Sequence, residues 1–400
     1  MTRTRPAALL LLASLTLTAC GTDPSPSARA SEAAEPSASP LSAAPSASAT
    51  ASQPAPAPSV PTSATWTPAA VPETDPAAGG AVVAPGGDGL VAIGFDGAFG
   101  SFLWTSPDGA EWRDVTPGGF EGVGIAAVEE VDGGLVGVGR GNTLDIETEL
   151  AAAYLSQDGL TWRQADGSAD MVGQMIDVVA TGDGLYAVGG VPGADTAGVW
   201  RSSDGETWER VGADIEHAFL WSIAEGGPGL VAVGWRRNPE QPDMAVWTSA
   251  DGSEWTLSPD PEESAGFEAT DVLAHEDGTL VLAGSSLQGE GGRIWFSEDG
   301  VDWTVAQVAG MTDGAYARSL VSTPHGLLAV GGGDDMSARA WISGDGRSWV
   351  PLGDPVPEAY FNDAFVTDDG TLLVIGATQQ GTLETGIEAR AMVWVGAVGD

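Results

Sequence analysis

The stretch Gly229-Leu-Val-Ala-Val-Gly234, with Trp247-Thr-Ser-Ala-Asp-Gly-Ser-Glu-Trp255 behind it, recurs along nearly the whole chain. Its opening glycine returns at Gly89, Gly134, Gly184, Gly229, Gly278, Gly326 and Gly370, in steps of 44 to 50 residues. The second half returns six times as a Ser-Asp-Gly turn closed by Trp, with aspartates at Asp108, Asp158, Asp204, Asp251, Asp299 and Asp345. Each step holds several short strands, and such a period is the mark of a β-propeller. The expected fold is all-β, with seven blades.

One unit shows how a blade is built. Ile176 to Thr181 reads as a first strand, and Gly182-Asp183 as a tight turn. Leu185 to Val188 is a second strand, apolar at successive positions because both faces of the sheet are covered. Gly198 to Arg201 is the third, Ser203-Asp204-Gly205-Glu206 the next turn, and Thr207 to Val211 the fourth. The Ser hydroxyl and Asp carboxylate suit such a turn because both accept backbone N–H bonds. Gly supplies the positive φ of the reversal. The six aspartates are therefore scaffold, each in its own copy of the turn.

This element resembles the Asp-box of the sialidase-like (BNR-repeat) propellers, over about residues 64 to 396. It is one residue shorter than that family's Ser-x-Asp-x-Gly-x-Thr-Trp. The resemblance implies a propeller with the box turns on one face and the ligand on the other. In sialidases an arginine triad holds the substrate carboxylate, a Tyr with an acidic helper is the nucleophile, and an Asp is the acid/base. Here the early Arg-Ile-Pro segment is absent, and Arg293-Ile294-Trp295 falls in a third strand.

Seven repeats and six boxes leave the last blade one strand short. Ala64-Thr-Trp66-Thr matches the fourth-strand pattern of Glu254-Trp255-Thr, so residues 64–68 are expected to complete the blade at about 360–396. The two ends of the domain would then close the ring without a covalent bond.

Before residue 64 the chain changes character. Arg3 and Arg5 precede an apolar run from Ala7 to Leu17, the layout of a secretory signal. Leu17-Thr-Ala-Cys20 resembles a bacterial lipoprotein signal, which implies residues 1–19 as signal peptide and Cys20 as the lipid attachment point. Residues 20–63, rich in Ala, Ser and Pro, read as a disordered tether. The expected place is the extracytoplasmic face of a cell membrane, joined to it by the lipid anchor.

All fifteen basic residues are Arg, against 56 Asp and Glu. A surface so acidic repels phosphate backbones, which argues against a nucleic-acid partner. Cys20 is the only cysteine and there is no Lys, which excludes an intramolecular disulfide, a Cys-rich zinc site, a Walker A loop and a Schiff-base lysine. The three histidines fall in different repeats. No cofactor or metal site is expected, and the domain reads as a monomer.

Function is sought on the face opposite the boxes. The starts of the first strands carry His217, Phe219, Trp221, Phe267, Glu268, Tyr316, Arg318, Tyr360 and Asn362. Long loops add Arg140, Arg236, Arg237 and Arg390. Rings beside Arg and Asn at a channel mouth suit a carbohydrate or a peptide carboxylate. The alternative is that the rings pack blade on blade and the arginines neutralise surplus acids. A second recurrence, Asp177, Ser222, Asp271, Ser319 and Asp363, has two readings: a ring of carboxylates around a cation, or side chains bonded to the backbone of the adjoining blade. The second is preferred, because acids spread around a wide ring rarely converge on one ion. The chain reads as a binding or scaffold module, with a sialidase-like glycoside hydrolase as the alternative.

Overall fold

The computed structural model describes residues 60–399, apart from 75–77, 88, 96–100, 118–119, 121–122, 142–149, 167–170, 192–194, 213, 238–241, 313 and 383–385. The signal segment, Cys20 and the tether up to residue 59 lie outside the described residues. Blade 1 is Gly79–Gly86, Gly89–Phe95, Ser101–Ser106 and Arg113–Asp114. Blade 2 is Gly124–Val131, Gly134–Arg140, Leu150–Ser156 and Arg163–Gln164. Blade 3 is Gln174–Thr181, Gly184–Val191, Thr196–Ser202 and Trp208–Arg210. Blade 4 is Ala218–Gly226, Gly229–Arg237, Pro242–Ser249 and Thr256–Leu257. Blade 5 is Phe267–Ala274, Leu280–Ser286, Gly292–Ser297 and Thr304–Val305. Blade 6 is Tyr316–Thr323, Gly326–Gly332, Ser337–Ser343 and Ser348–Pro351. Blade 7 is Ala359–Val366, Leu372–Thr382, Gly386–Val398 and, from the other end of the domain, Ala64–Pro68. The described residues thus form a seven-bladed, all-β propeller.

Its closure follows from where apolar surface is buried. A blade has two apolar faces and needs a neighbour on each. Seven buried clusters fill the gaps, one between each pair of adjacent blades. An open arc of seven blades would have six. The seventh sets Phe365, Leu373, Ile375 and Val393 of blade 7 against Val83, Leu90, Ala92 and Trp104 of blade 1. The first strands of neighbouring blades touch all the way round and line the axis.

The closing strand is antiparallel to its partner, with Ala64 opposite Val398, Trp66 opposite Gly396 and Pro68 opposite Trp394. Trp66 also meets Phe361 edge-on, ring centres 5.3 Å apart. Because the outer two strands of blade 7 are the two ends of the domain, no turn joins them. That is why seven repeats carry only six boxes.

In all six boxes the Ser hydroxyl accepts the N–H of the glycine three residues on, at 2.7–2.9 Å. The Trp indole N–H then donates to that glycine's carbonyl, at 2.8–3.1 Å. Backbone N–H bonds hold the carboxyls of Asp158, Asp204, Asp251 and Asp299 below the usual range. In blade 3 the hydroxyl belongs to Ser202, one residue before the Ser203 expected from sequence. Two adjacent serines precede Asp204, and only the earlier one lies three residues before Gly205. Replacing the box tryptophan Trp349, which is fully buried, with Ala is expected to cost about 3–5 kcal/mol. The exposed neighbour pair Arg347–Glu298 is worth less than about 1 kcal/mol. Denaturant midpoints of W349A and R347A measure the contrast.

Each first strand also slips register once against its second strand, at the same place in all seven blades. The residues skipped by the ladder at these bulges are Ala81, Ala126, Ile176, Trp221, Thr270, Arg318 and Asn362. A bulge re-aims a side chain, and here a ring of seven surrounds the axis near the open face.

Candidate functional site: the open mouth of the channel

The first strands run from the open face toward the boxes, so their opening residues frame the channel mouth. On blades 1 and 2 these are Gly79, Gly80 and Ala81, and Gly124, Ile125 and Ala126. On blades 4 to 7 they are large or polar: Phe219 and Trp221, Glu268 and Thr270, Tyr316 and Arg318, Tyr360 and Asn362. The mouth is therefore lopsided, bare backbone on one side and rings with charges on the other.

Arg318 of blade 6 lies between its neighbours. Its charge acts on Glu268 of blade 5 and on Tyr360 of blade 7, and Tyr316 also acts on Tyr360. Burial pushes the Glu268 carboxyl and the Tyr360 hydroxyl above their ordinary values, with Arg318 pulling both back. Arg318 Nε is buried and has no hydrogen-bond partner among the described residues, and nor has the indole N–H of Trp221. Phe219 packs on Trp221 at 4.4 Å and lies near-parallel to Trp235 at 6.3 Å.

The other residues singled out from sequence have different settings. His217 is exposed, its Nδ1 2.9 Å from Asp195, and Arg237 reaches the same Asp195 at 3.1 Å. Arg236 forks onto Asp260 at 2.8 and 3.0 Å. Arg390 donates to the Thr74 carbonyl at 2.7 Å. Phe267 is buried edge-on against Trp295 with Arg293 over its ring at 4.9 Å. Asn362 is buried and donates to the Gly80 carbonyl at 2.7 Å, tying blade 7 to blade 1. The structure thus brings Glu268 and Tyr360 within reach of Arg318, with Tyr316 acting on Tyr360. It leaves His217, Arg236 and Arg237 on the rim, and Phe267 and Asn362 inside.

Below the mouth, the Asp/Ser recurrence is a connected chain buried along blades 3 to 7. Asp177 accepts the Ile223 N–H of blade 4 at 2.9 Å, and Asp271 accepts the Leu320 N–H of blade 6 at 2.7 Å. Ser222 Oγ lies 2.8 Å from Asp177 Oδ2 and 2.7 Å from Asp271 Oδ1. Ser319 Oγ donates to Asp363 Oδ1 at 2.8 Å. Bonding to the adjoining blade is what these contacts show, and no cluster of metal-ligand geometry is present among the described residues.

No family model and no curated protein sequence matches this chain. Solved structures are similar to it only in fold. A protein from Lactobacillus plantarum is 12% identical, over 75% of this chain and 96% of that one, with a TM-score of 0.43. An exo-β-1,3-galactanase from Clostridium thermocellum is 12% identical, over 77% and 81%, with a TM-score of 0.37. A fucose-specific lectin from Aleuria aurantia is 12% identical, over 82% and 96%, with a TM-score of 0.36.

Proposed function

We propose that this protein is a binding module of the Asp-box propeller type, held at the outer face of a membrane through a lipid on Cys20 and the tether 20–63. Its ligand seat is the polar side of the channel mouth. One observation carries this reading: Arg318 makes no hydrogen bond or ion pair among the described residues, although acids outnumber arginines 56 to 15. The rim arginines Arg236, Arg237 and Arg293 each have a carboxylate. A buried N–H left without an acceptor, as at Arg318 Nε, is costly. A carbohydrate hydroxyl pair or a peptide carboxylate would supply them, with Tyr316, Tyr360 and Trp221 as apolar walls.

The test is a glycan array together with binding of peptides bearing free C-termini, using the protein and its Arg318→Gln variant. A charge-assisted bond is worth about 1.5–3 kcal/mol, so R318Q is expected to weaken the recognised ligand about 10- to 150-fold. Arg236→Ala is expected to leave binding unchanged. Equal binding by R318Q would put the seat elsewhere.

The hydrolase reading is weaker. Burial raises the Tyr360 hydroxyl, the opposite of an activated nucleophile, and one guanidinium stands where sialidase chemistry uses three. Turnover of a fluorogenic sialoside that is lost in Tyr316→Phe or Tyr360→Phe would reverse that order.

A further inference from the structure

The contacts around Ser222 fix a hydrogen count. A serine hydroxyl has one hydrogen and two lone pairs. Ser222 Oγ accepts the Val272 N–H at 3.3 Å and touches two carboxyl oxygens, at 2.8 Å on Asp177 and 2.7 Å on Asp271. Its single hydrogen serves one of them. At 2.7–2.8 Å the other contact is a hydrogen bond only if that carboxyl brings its own proton. Asp177 also accepts the Val178 N–H at 2.7 Å and the Ile223 N–H at 2.9 Å, and Asp271 accepts the Leu320 N–H at 2.7 Å, so backbone donors support a charge on both sides of Ser222. The two carboxyls that flank Ser222 therefore hold one proton between them.

The far end of the chain repeats the problem. Asp363 is fully buried, its Oδ1 takes the Ser319 hydroxyl, and its Oδ2 has no partner among the described residues. A bare anionic oxygen without solvent or donor costs far more than a neutral O–H in the same place. The charged groups acting on Asp363 are the carboxyls of Asp271 and Asp177. Tyr316 and Arg318 on its blade 6 neighbour, and Arg339 on the third strand of that blade, are the titratable side chains on the strands packed against it. Gly79–Gly86, Gly326–Gly332 and Leu372–Thr382 carry none.

We propose that the Asp177–Ser222–Asp271–Ser319–Asp363 chain holds two protons at neutral pH, one shared by Asp177 and Asp271 across Ser222 and one on Asp363, and that the ring is a proton-loaded clasp that weakens as pH rises. Desolvation as the main cause pushes the Asp363 carboxyl well above its ordinary value, and the negative charge left on the Asp177–Asp271 pair acts in the same direction. The sign is therefore the reverse of ordinary acid denaturation. Between the unfolded value near 3.8 and the raised folded value, the folded state binds more protons than the unfolded one. Stability is full below that window and falls as pH climbs through it. Infrared spectroscopy of the full chain at neutral pH is expected to show buried protonated-carboxyl C=O bands, and one of them is lost in Asp363→Asn. The Tm of wild type is expected to fall from about pH 5 to about pH 8, with a smaller fall in D363N, whose neutral amide needs no proton. Absence of any such band in wild type at neutral pH would overturn the proposal without recourse to a variant. So would pH dependences of Tm that are identical in wild type and D363N.

Discussion

Replacing Gly331 or Gly376 with alanine is expected to lower the unfolding midpoint by roughly 6–10 °C, from a cost of about 3 kcal/mol. Both glycines lie on second strands opposite the bulges. A Cβ at 331 would overlap the Tyr316 carbonyl oxygen, far closer than van der Waals contact allows, and one at 376 would meet that of Tyr360 in the same way. The obstructing atom is backbone in both cases, so no side chain can turn aside. Relief requires the first strand to move away, and that strand carries the mouth: Tyr316 and Arg318 in one blade, Tyr360 and Asn362 in the other. Ligand binding is expected to fall by more than the stability loss explains. Gly182 is the control, since its Cβ would meet nothing within 4 Å. Differential scanning calorimetry of G331A, G376A and G182A gives the first comparison, and titration with ligand the second. A G331A protein as stable as G182A would mean that the close approach of the two strands is not needed.

Removing residues up to Pro68 is expected to cost about 5 kcal/mol or more. The loss combines a five-residue ladder with the half-buried Trp66. Trp66→Ala alone should account for about 2–3 kcal/mol, because its ring closes on Phe361 and Gly396. Thr65→Ala and Thr67→Ala, at exposed positions, should stay within about 0.5 kcal/mol. A synthetic peptide of residues 60–70 added to the truncated domain should restore the midpoint in a concentration-dependent way, as strand addition does. If the truncated domain melts like the whole, the fourth strand of blade 7 is ornamental.

How much of this could be read from residues alone varies with the range of the interaction. The blades were legible because turn chemistry is local: Ser, Asp, Gly and Trp lie within a few residues and satisfy one another. Closure by residues 64–68 was legible because Trp66-Thr repeats the pattern of Trp255-Thr at the right phase. The bulges were not. The glycine ending each Gly-Leu-Val-Ala-Val-Gly run was visible, but its reason is a carbonyl on another strand. The slip at each bulge breaks simple alternation. Phe267 and Asn362 therefore looked like members of the same exposed set as Tyr316 and Tyr360, whereas burial separates them. Strands also begin late where Thr279 and Thr371 follow the glycine, at Leu280 and Leu372, a detail the repeat spacing conceals. The connection of Ser222 to two aspartates spans 45 and 49 residues, and depends on blades 3, 4 and 5 meeting at the axis.

Ala64 faces Val398, and the Gly399 N–H donates to the Ser63 carbonyl at 2.9 Å. Head and tail of the propeller thus lie side by side, a few ångströms from being spliced. A short bridge between them would make the polypeptide a loop, which could then be cut at the exposed Asp132-Gly133 bend. Such a circular permutant should fold to the same ring, because the architecture assigns no blade the role of first.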